Sequence, residues 1–128
     1  MTAAGSGGKA KGNIINTTSV AARNGGGAGS ILYAGAKGFV SSFTRGLAKE
    51  LAPTGIRVNA VAPGIIRTPL HERLTKPEAY KAMAASSPMK RDGTAEECAG
   101  AYLYLASDAL SGFVTGQVIE VNGGLLMP

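Results

Sequence analysis

The sequence has no tryptophan, one cysteine, one histidine and only 5% aromatic residues, and each scarcity closes a class of function. With Cys98 alone no internal disulfide can form, and with His71 the only imidazole a Cys/His metal cluster has too few ligands. Both are expected to be ordinary residues, a thiol buried on a helix and a surface imidazole, so no metal site is expected. Few aromatic rings leave little to stack on bases. The formal charge of +5 is spread singly along the chain rather than along one element, so a nucleic-acid partner is not expected. No apolar run approaches the ~18 residues that span a bilayer, and the first residues lack the apolar stretch of a signal peptide. No membrane partner is expected, and the cytoplasm is the expected compartment.

What remains is the composition of one globular domain, 45% hydrophobic and 16% charged over 128 residues. Its 19 glycines fall in a few clusters without a three-residue period, which excludes a collagen-like chain. Residues 1–11 are small and aperiodic and are expected to form a flexible leader, with the folded part over 12–128.

Asn13 to Thr18 reads as a short buried strand, and the glycine-rich run from Arg23 to Ser30 as a loop. From Ser30 to Ala52, the residues Ala36, Val40, Phe43, Leu47 and Leu51 recur at helical spacing and predict one buried stripe, ended by Pro53 and Gly55. Ile56 to Ala62 alternates as a strand does and stops at Pro63 and Gly64. Thr75 with Glu78 and Thr94 with Glu97 have the spacing of capping boxes, predicting helices over 76–85 and 95–106. Gln117 to Val121 is a last strand. Strands separated by helical crossovers predict an α/β fold with a parallel sheet.

Tyr33 and Lys37 stand four apart on the long helix and therefore share a face. The spacing alone is weak, since any helix carrying both residue types can show it. Its setting is stronger: a strand ending in Thr17, Thr18 and Ser19, and another ending in Pro63 and Gly64, both deliver their ends to the sheet edge where open α/β folds bind ligands. The glycine run fits neither G-x-G-x-x-G nor a P-loop, so phosphate cradling there is not expected. Serine hydrolysis would want a histidine base near Ser19, and His71 lies in a different segment.

In order, Ile15-Asn16-Thr17-Thr18-Ser19, Tyr33-Ala34-Gly35-Ala36-Lys37, the strand and turn from Arg57 to Gly64 with Thr68 beyond, Leu105-Ala106-Ser107-Asp108, and Thr115-Gly116 leading to Val121-Asn122-Gly123-Gly124 make a pattern. It resembles the carboxyl-terminal half of the short-chain dehydrogenase/reductase superfamily. The resemblance implies the C-terminal portion of a Rossmann-like, doubly wound parallel sheet with three strands, and NAD or NADP as cofactor. It implies Tyr33 as general acid or base, Lys37 as electrostatic support for the phenolate and a hydrogen-bond partner of the nicotinamide ribose, and Ser19 as holder of the substrate oxygen. Pro63, Gly64, Ile66 and Thr68 resemble the turn beside the nicotinamide. A small alcohol or carbonyl is the implied substrate, with a 3-oxoacyl thioester, a sugar and a secondary alcohol all open. The implied partner is a second copy of the chain, joined through the long helix 30–52 and its Phe39, Ser42 and Phe43; a non-catalytic association module is the alternative.

Two departures stand beside the resemblance. Ser19 and Tyr33 are 14 positions apart, one more than the commonest spacing, and the extra residue falls among glycines, where a loop absorbs it. The amino-terminal half of the family, with its G-x-x-x-G-x-G loop, has no counterpart in the sequence. A truncated enzyme with weak cofactor binding, little turnover of its own and an exposed apolar edge on its first strand is therefore expected.

Overall fold

The computed structural model describes residues 12–128, so the expected leader over 1–11 lies outside the described residues. Three strands, β1 (Gly12–Thr17), β2 (Ile56–Pro63) and β3 (Val118–Val121), form one parallel sheet in the order β1-β2-β3. Helix α1 (Ala21–Asn24) and the long helix α2 (Ile31–Leu51) lie between β1 and β2. Helices α3 (Pro69–Leu74), α4 (Pro77–Ala85), α5 (Ala95–Ala106) and α6 (Asp108–Ser111) lie between β2 and β3. The expected α/β class and parallel strands are observed.

The sheet has a helix on each face. On one side Asn16 Nδ2 donates to Thr44 Oγ1 of α2 at 3.0 Å, and on the other Asn13 Nδ2 donates to the Ala106 carbonyl at the end of α5. Covered on both faces, the central strand β2 is buried continuously from Arg57 to Ala62, as parallel strands in such folds are. The alternation read in the sequence therefore does not separate core from solvent. Its polar members are buried on the α5 side with partners: Asn59 Nδ2 donates to the Val114 carbonyl at 2.9 Å, and its Oδ1 accepts the Gln117 amide at 3.0 Å.

The long helix forms where its periodicity predicts, but on a different face. The residues it buries are Ala34, Ser41, Thr44 and Ala48, whereas Ala36 and Phe43 are exposed and Val40, Leu47 and Leu51 only half-buried. Small side chains bring the helix close to the strands, and the two hydroxyls find partners there: Ser41 Oγ lies 2.7 Å from Thr18 Oγ1, and Thr44 bonds Asn16. Phe39 and Phe43 stack on each other at 5.5 Å on the outer face.

Thr94 and Glu97 form the expected capping box at the start of α5. Thr75 and Glu78 do not, because Pro77 takes the first helical position of α4 and makes Lys76 the cap; Thr75 instead ends α3 and bonds His71 Nδ1 at 3.1 Å. His71 is accordingly half-buried, its ring 5.1 Å from that of Tyr80, rather than a free surface imidazole. Cys98 is buried on α5 as expected, and burial pushes its thiol pKa up. Helices α1, α3 and α6 are too short to show periodicity in the sequence. No helix among the described residues is long and apolar enough to cross a membrane.

The capping box predicts a pH dependence. Glu97 accepts two hydrogen bonds from Arg91, both 2.8 Å, and a third from the Thr94 amide, which pull its pKa down to about 2. A carboxyl whose folded pKa lies below its ordinary 4.5 stabilises fully above that value and loses the contribution as pH falls toward 2. Thermal denaturation between pH 5 and pH 2 should therefore show a steeper loss of stability for the unmutated chain than for Glu97→Gln; parallel curves would contradict the assignment.

Candidate active site

The carboxyl-terminal ends of β1 and β2 meet at one edge of the sheet, and bonds beyond the strands hold them together. The Thr18 amide donates to the Val61 carbonyl at 2.9 Å and the Val20 amide to the Pro63 carbonyl at 3.0 Å, on either side of Ser19. Ser19 is buried and its Oγ accepts the Ala21 amide at 3.1 Å, which starts α1. The chain turns back through Gly25–Gly29; at Gly26 the backbone is left-handed, with φ of +73°, and a Cβ there would stand 3.0 Å from Ser30 Cβ. This tight return brings α1 against the first turns of α2, which carry Tyr33 and Lys37.

Thr18 fixes α2 beside this edge, its Oγ1 donating to the Lys37 carbonyl at 2.8 Å. Lys37 Nζ donates to the Thr17 carbonyl at 3.0 Å and stands 5.8 Å from the centroid of the Tyr33 ring. Tyr33 itself is 48% exposed. The ammonium is thus tied to the strand that leads into Ser19 and lies beside the phenol one turn ahead of it. Thr18 as an anchor went unrecognised in the sequence; its only signal was its place in the run of hydroxyls ending β1.

Gly64 follows β2, and its amide donates to the Val121 carbonyl at 2.8 Å. A Cβ at Gly64 would lie 2.6 Å from Asn122 Cβ and 2.8 Å from its Cα, so only glycine lets the turn meet the end of β3. Ile66 is buried and pairs with Gly93 in a parallel bridge made by the Ile65 carbonyl and the Arg67 amide, a pattern in which the amide groups of Ile66 have no partner among the described residues. Thr68 stands at the cap position of α3 without a side-chain capping bond. It lines a cleft of about 300 Å³ with His71, Thr75 and Tyr80. A second cleft, of about 150 Å³, opens between Ile66, Met89, Val121 and Asn122. Neither has Ser19, Tyr33 or Lys37 in its wall: Ser19 is buried, Lys37 half-buried and Tyr33 exposed.

One ion pair ties α1 to the far strand: Arg23 Nε lies 3.2 Å from Glu120 Oε1. Glu120 is largely buried and its pKa is raised by that burial, with Arg23 opposing the shift.

The chain matches, over residues 1–126, a family model described as enoyl-(acyl carrier protein) reductase. It is 48% identical over 116 residues to glucose and ribitol dehydrogenase homolog 2 of Arabidopsis thaliana, covering 90% of this chain and 39% of that one. Against the 3-oxoacyl-(acyl-carrier-protein) reductase of Thermotoga maritima it is 48% identical over 117 residues, 91% of this chain and 46% of that one. Among solved structures it superposes with a TM-score of 0.81 and 40% identity on a short-chain dehydrogenase/reductase, glucose/ribitol dehydrogenase, from Brucella melitensis, covering 92% of this chain and 47% of that one. The chain spans less than half the length of the curated relatives it matches. The family model, these identities and the shared fold together place the chain in the short-chain dehydrogenase/reductase family.

Proposed function

We propose that the chain carries the nicotinamide end of the active site of an NAD- or NADP-dependent oxidoreductase acting on a hydroxyl or carbonyl group. The observation that carries this reading is the placement of Lys37, bonded to the Thr17 carbonyl and lying beside the Tyr33 ring at the sheet edge where Ser19 and the Pro63–Gly64 turn also end. The residues present suit a nicotinamide riboside. Lys37 has ammonium protons beyond the one given to Thr17 for ribose hydroxyls, and among the described residues the amide groups of Ile66 and the hydroxyl of Thr68 have no partner and would suit a carboxamide. A matching structure of an NADH-dependent reductase, complexed with NAD, supports the cofactor class; it superposes with a TM-score of 0.75 at 40% identity.

The dinucleotide, when bound, gives or takes the hydride. In the direction of reduction the Tyr33 hydroxyl gives its proton to the substrate oxygen, and in oxidation the phenolate takes it back. Lys37 stabilises the phenolate by its charge. The Ser19 hydroxyl donates to the substrate oxygen and holds it against Tyr33, positioning rather than attacking. Pro63 and Gly64 would supply the turn beside a bound nicotinamide. A 3-oxoacyl thioester, a sugar and a secondary alcohol are the substrate classes for an activity panel.

The sequence holds no G-x-x-x-G-x-G loop for the cofactor's phosphates, so the chain by itself binds the dinucleotide weakly. Titration of NADH fluorescence tests the reading: Lys37→Met should weaken binding about tenfold, the loss of a charge-assisted hydrogen-bond set. Equal affinity of the two chains would count against it.

The outer face of α2 supports a second role. Leu32 and Phe39 are 86% and 66% exposed, and the Phe39–Phe43 stack continues the apolar surface, as expected of a helix that pairs with its copy in another subunit. The mass of the particle in solution reads this directly.

A further inference from the structure

Between Arg67 and Asp92 the chain leaves the sheet and returns, carrying α3 and α4, neither of which buries a single residue. The return limb is tied to the loop after β3, where the Met89 amide donates to the Gly123 carbonyl at 3.1 Å and Ser87 is buried, whereas α3 and α4 have little packing and depend on what reaches them from the neck. The neck is closed twice. The Arg67 amide donates to the Gly93 carbonyl and the Gly93 amide to the Ile65 carbonyl, both at 2.9 Å. Arg67 Nε and Nη2 then reach Asp92 Oδ2 and Oδ1, each at 3.0 Å, in the two-pronged geometry that suits a carboxylate.

Asp92 accepts a third bond, from the Tyr80 hydroxyl of α4 at 2.7 Å. Among the described residues Tyr80 is the one side chain of α3 or α4 that bonds the neck; His71 to Thr75 stays inside the excursion, and Ser87 Oγ, past the end of α4, bonds the Ala84 and Arg91 carbonyls. The Tyr80 ring also lies against His71, so it joins α3, α4 and the neck at one point. Burial and the bond to Asp92 push the Tyr80 pKa up to about 12, and Arg67 and then Tyr80 hold the Asp92 carboxyl below its ordinary value. The joint is charged at Asp92 and protonated at Tyr80 throughout the neutral range.

We propose that Asp92 is a positioning residue, the shared acceptor through which Arg67 closes the neck and Tyr80 holds α4 down, and that it thereby sets where the Thr68 hydroxyl stands. The consequence for Thr68 rests on the nicotinamide reading; the mechanical role does not. Thr68 follows Arg67 directly and its hydroxyl has no capping bond of its own to hold it.

Hydrogen–deuterium exchange of the 128-residue chain, followed by peptide, tests this without any turnover. Tyr80→Phe keeps the ring and removes only the hydroxyl, and amides over 76–85 should exchange about tenfold faster, with β1 and β2 unchanged. Asp92→Asn should quicken the same amides and those over 65–68 as well, and the double variant should match Asp92→Asn rather than multiply the two effects. Unchanged exchange over 76–85 in Tyr80→Phe, or equal acceleration across the sheet, overturns the role whatever the chain binds. NADH that protects no amide over 64–68 in the unmutated chain contradicts the nicotinamide reading and with it the consequence for Thr68, while the exchange of the variants still decides the joint.

Discussion

Replacing Arg57 by methionine should cost the chain about 3 kcal/mol, the low end of the range for breaking a buried ion pair. The residue is 7% exposed, in the middle of the sheet, and all its donor groups are engaged. Nε and Nη2 bond Asp108 Oδ1, Nη2 also bonds the Leu105 carbonyl at 2.8 Å, and Nη1 bonds Ser111 Oγ at 3.0 Å and the Val114 carbonyl at 3.3 Å. One guanidinium thus joins β2 to the end of α5, to α6 and to the turn leading into β3. Methionine fills much of the stem's volume, so the loss comes chiefly from the hydrogen bonds themselves and from Ser111 Oγ left without its donor; the Leu105 and Val114 carbonyls each keep one donor, Ser111 Oγ and Asn59 Nδ2. Asp108 is half exposed and recovers water when its partner goes, which keeps the cost from the upper end. Urea denaturation measures it, and Arg57→Lys should regain less than half, because one ammonium cannot reach acceptors on three sides. A loss under about 1 kcal/mol for Arg57→Met would mean that the network is dispensable.

Tyr33→Phe should reduce nicotinamide-dependent turnover by about 100- to 10,000-fold, the usual contribution of one general acid–base group. The change removes the only group in the Ser19–Tyr33–Lys37 cluster proposed to transfer a proton, and it retains the ring beside Lys37 Nζ. Dinucleotide affinity should therefore stay within about threefold, so that the loss falls on the chemical step. Because the phosphate-binding loop is not in this sequence, the rate is best compared with the chain mixed with an amino-terminal half from a family reductase. A variant that lost binding and rate together would assign Tyr33 to holding the cofactor instead.

Features whose partners are close in sequence were legible before the structure. The Thr94–Glu97 capping box needs only two residues three apart, and Tyr33 and Lys37 only one turn of helix. The Thr75–Glu78 pair shows the limit of such spacing: Pro77 fixes a helix start that both residues must obey. The buried face of α2 differs from the expected stripe for another reason. Ala34, Ser41, Thr44 and Ala48 have the same helical period as the larger apolar residues beside them, and the choice between the two faces is made by Asn16 on β1 and Thr18 just beyond it, bonded to residues more than 20 positions away. Hydrophobicity favours the wrong stripe; close packing and hydroxyl pairing choose the right one. Asp92 was invisible for the same reason, since nothing near it in sequence announces that Arg67 and Tyr80 will converge on its carboxylate.

The site was legible as a set of places and less so as a set of contacts. Ser19 follows the end of β1, Pro63 ends β2, Gly64, Ile66 and Thr68 follow it, and Tyr33 and Lys37 lie on the first turns of α2, with Lys37 bonded to the Thr17 carbonyl. What the motifs do not reveal is what holds each one: the Thr18 bond to the Lys37 carbonyl, the contact of Gly64 with Asn122, and the bridge between Ile66 and Gly93.

The most direct test of the central claim follows the hydride itself. NADH deuterated at C4 is given to the chain combined with a family amino-terminal half and a carbonyl substrate, and the alcohol is examined by mass spectrometry. The account predicts deuterium in the product with the unmutated chain and almost none in the same time with Tyr33→Phe. Label transfer that proceeds equally in both would contradict it.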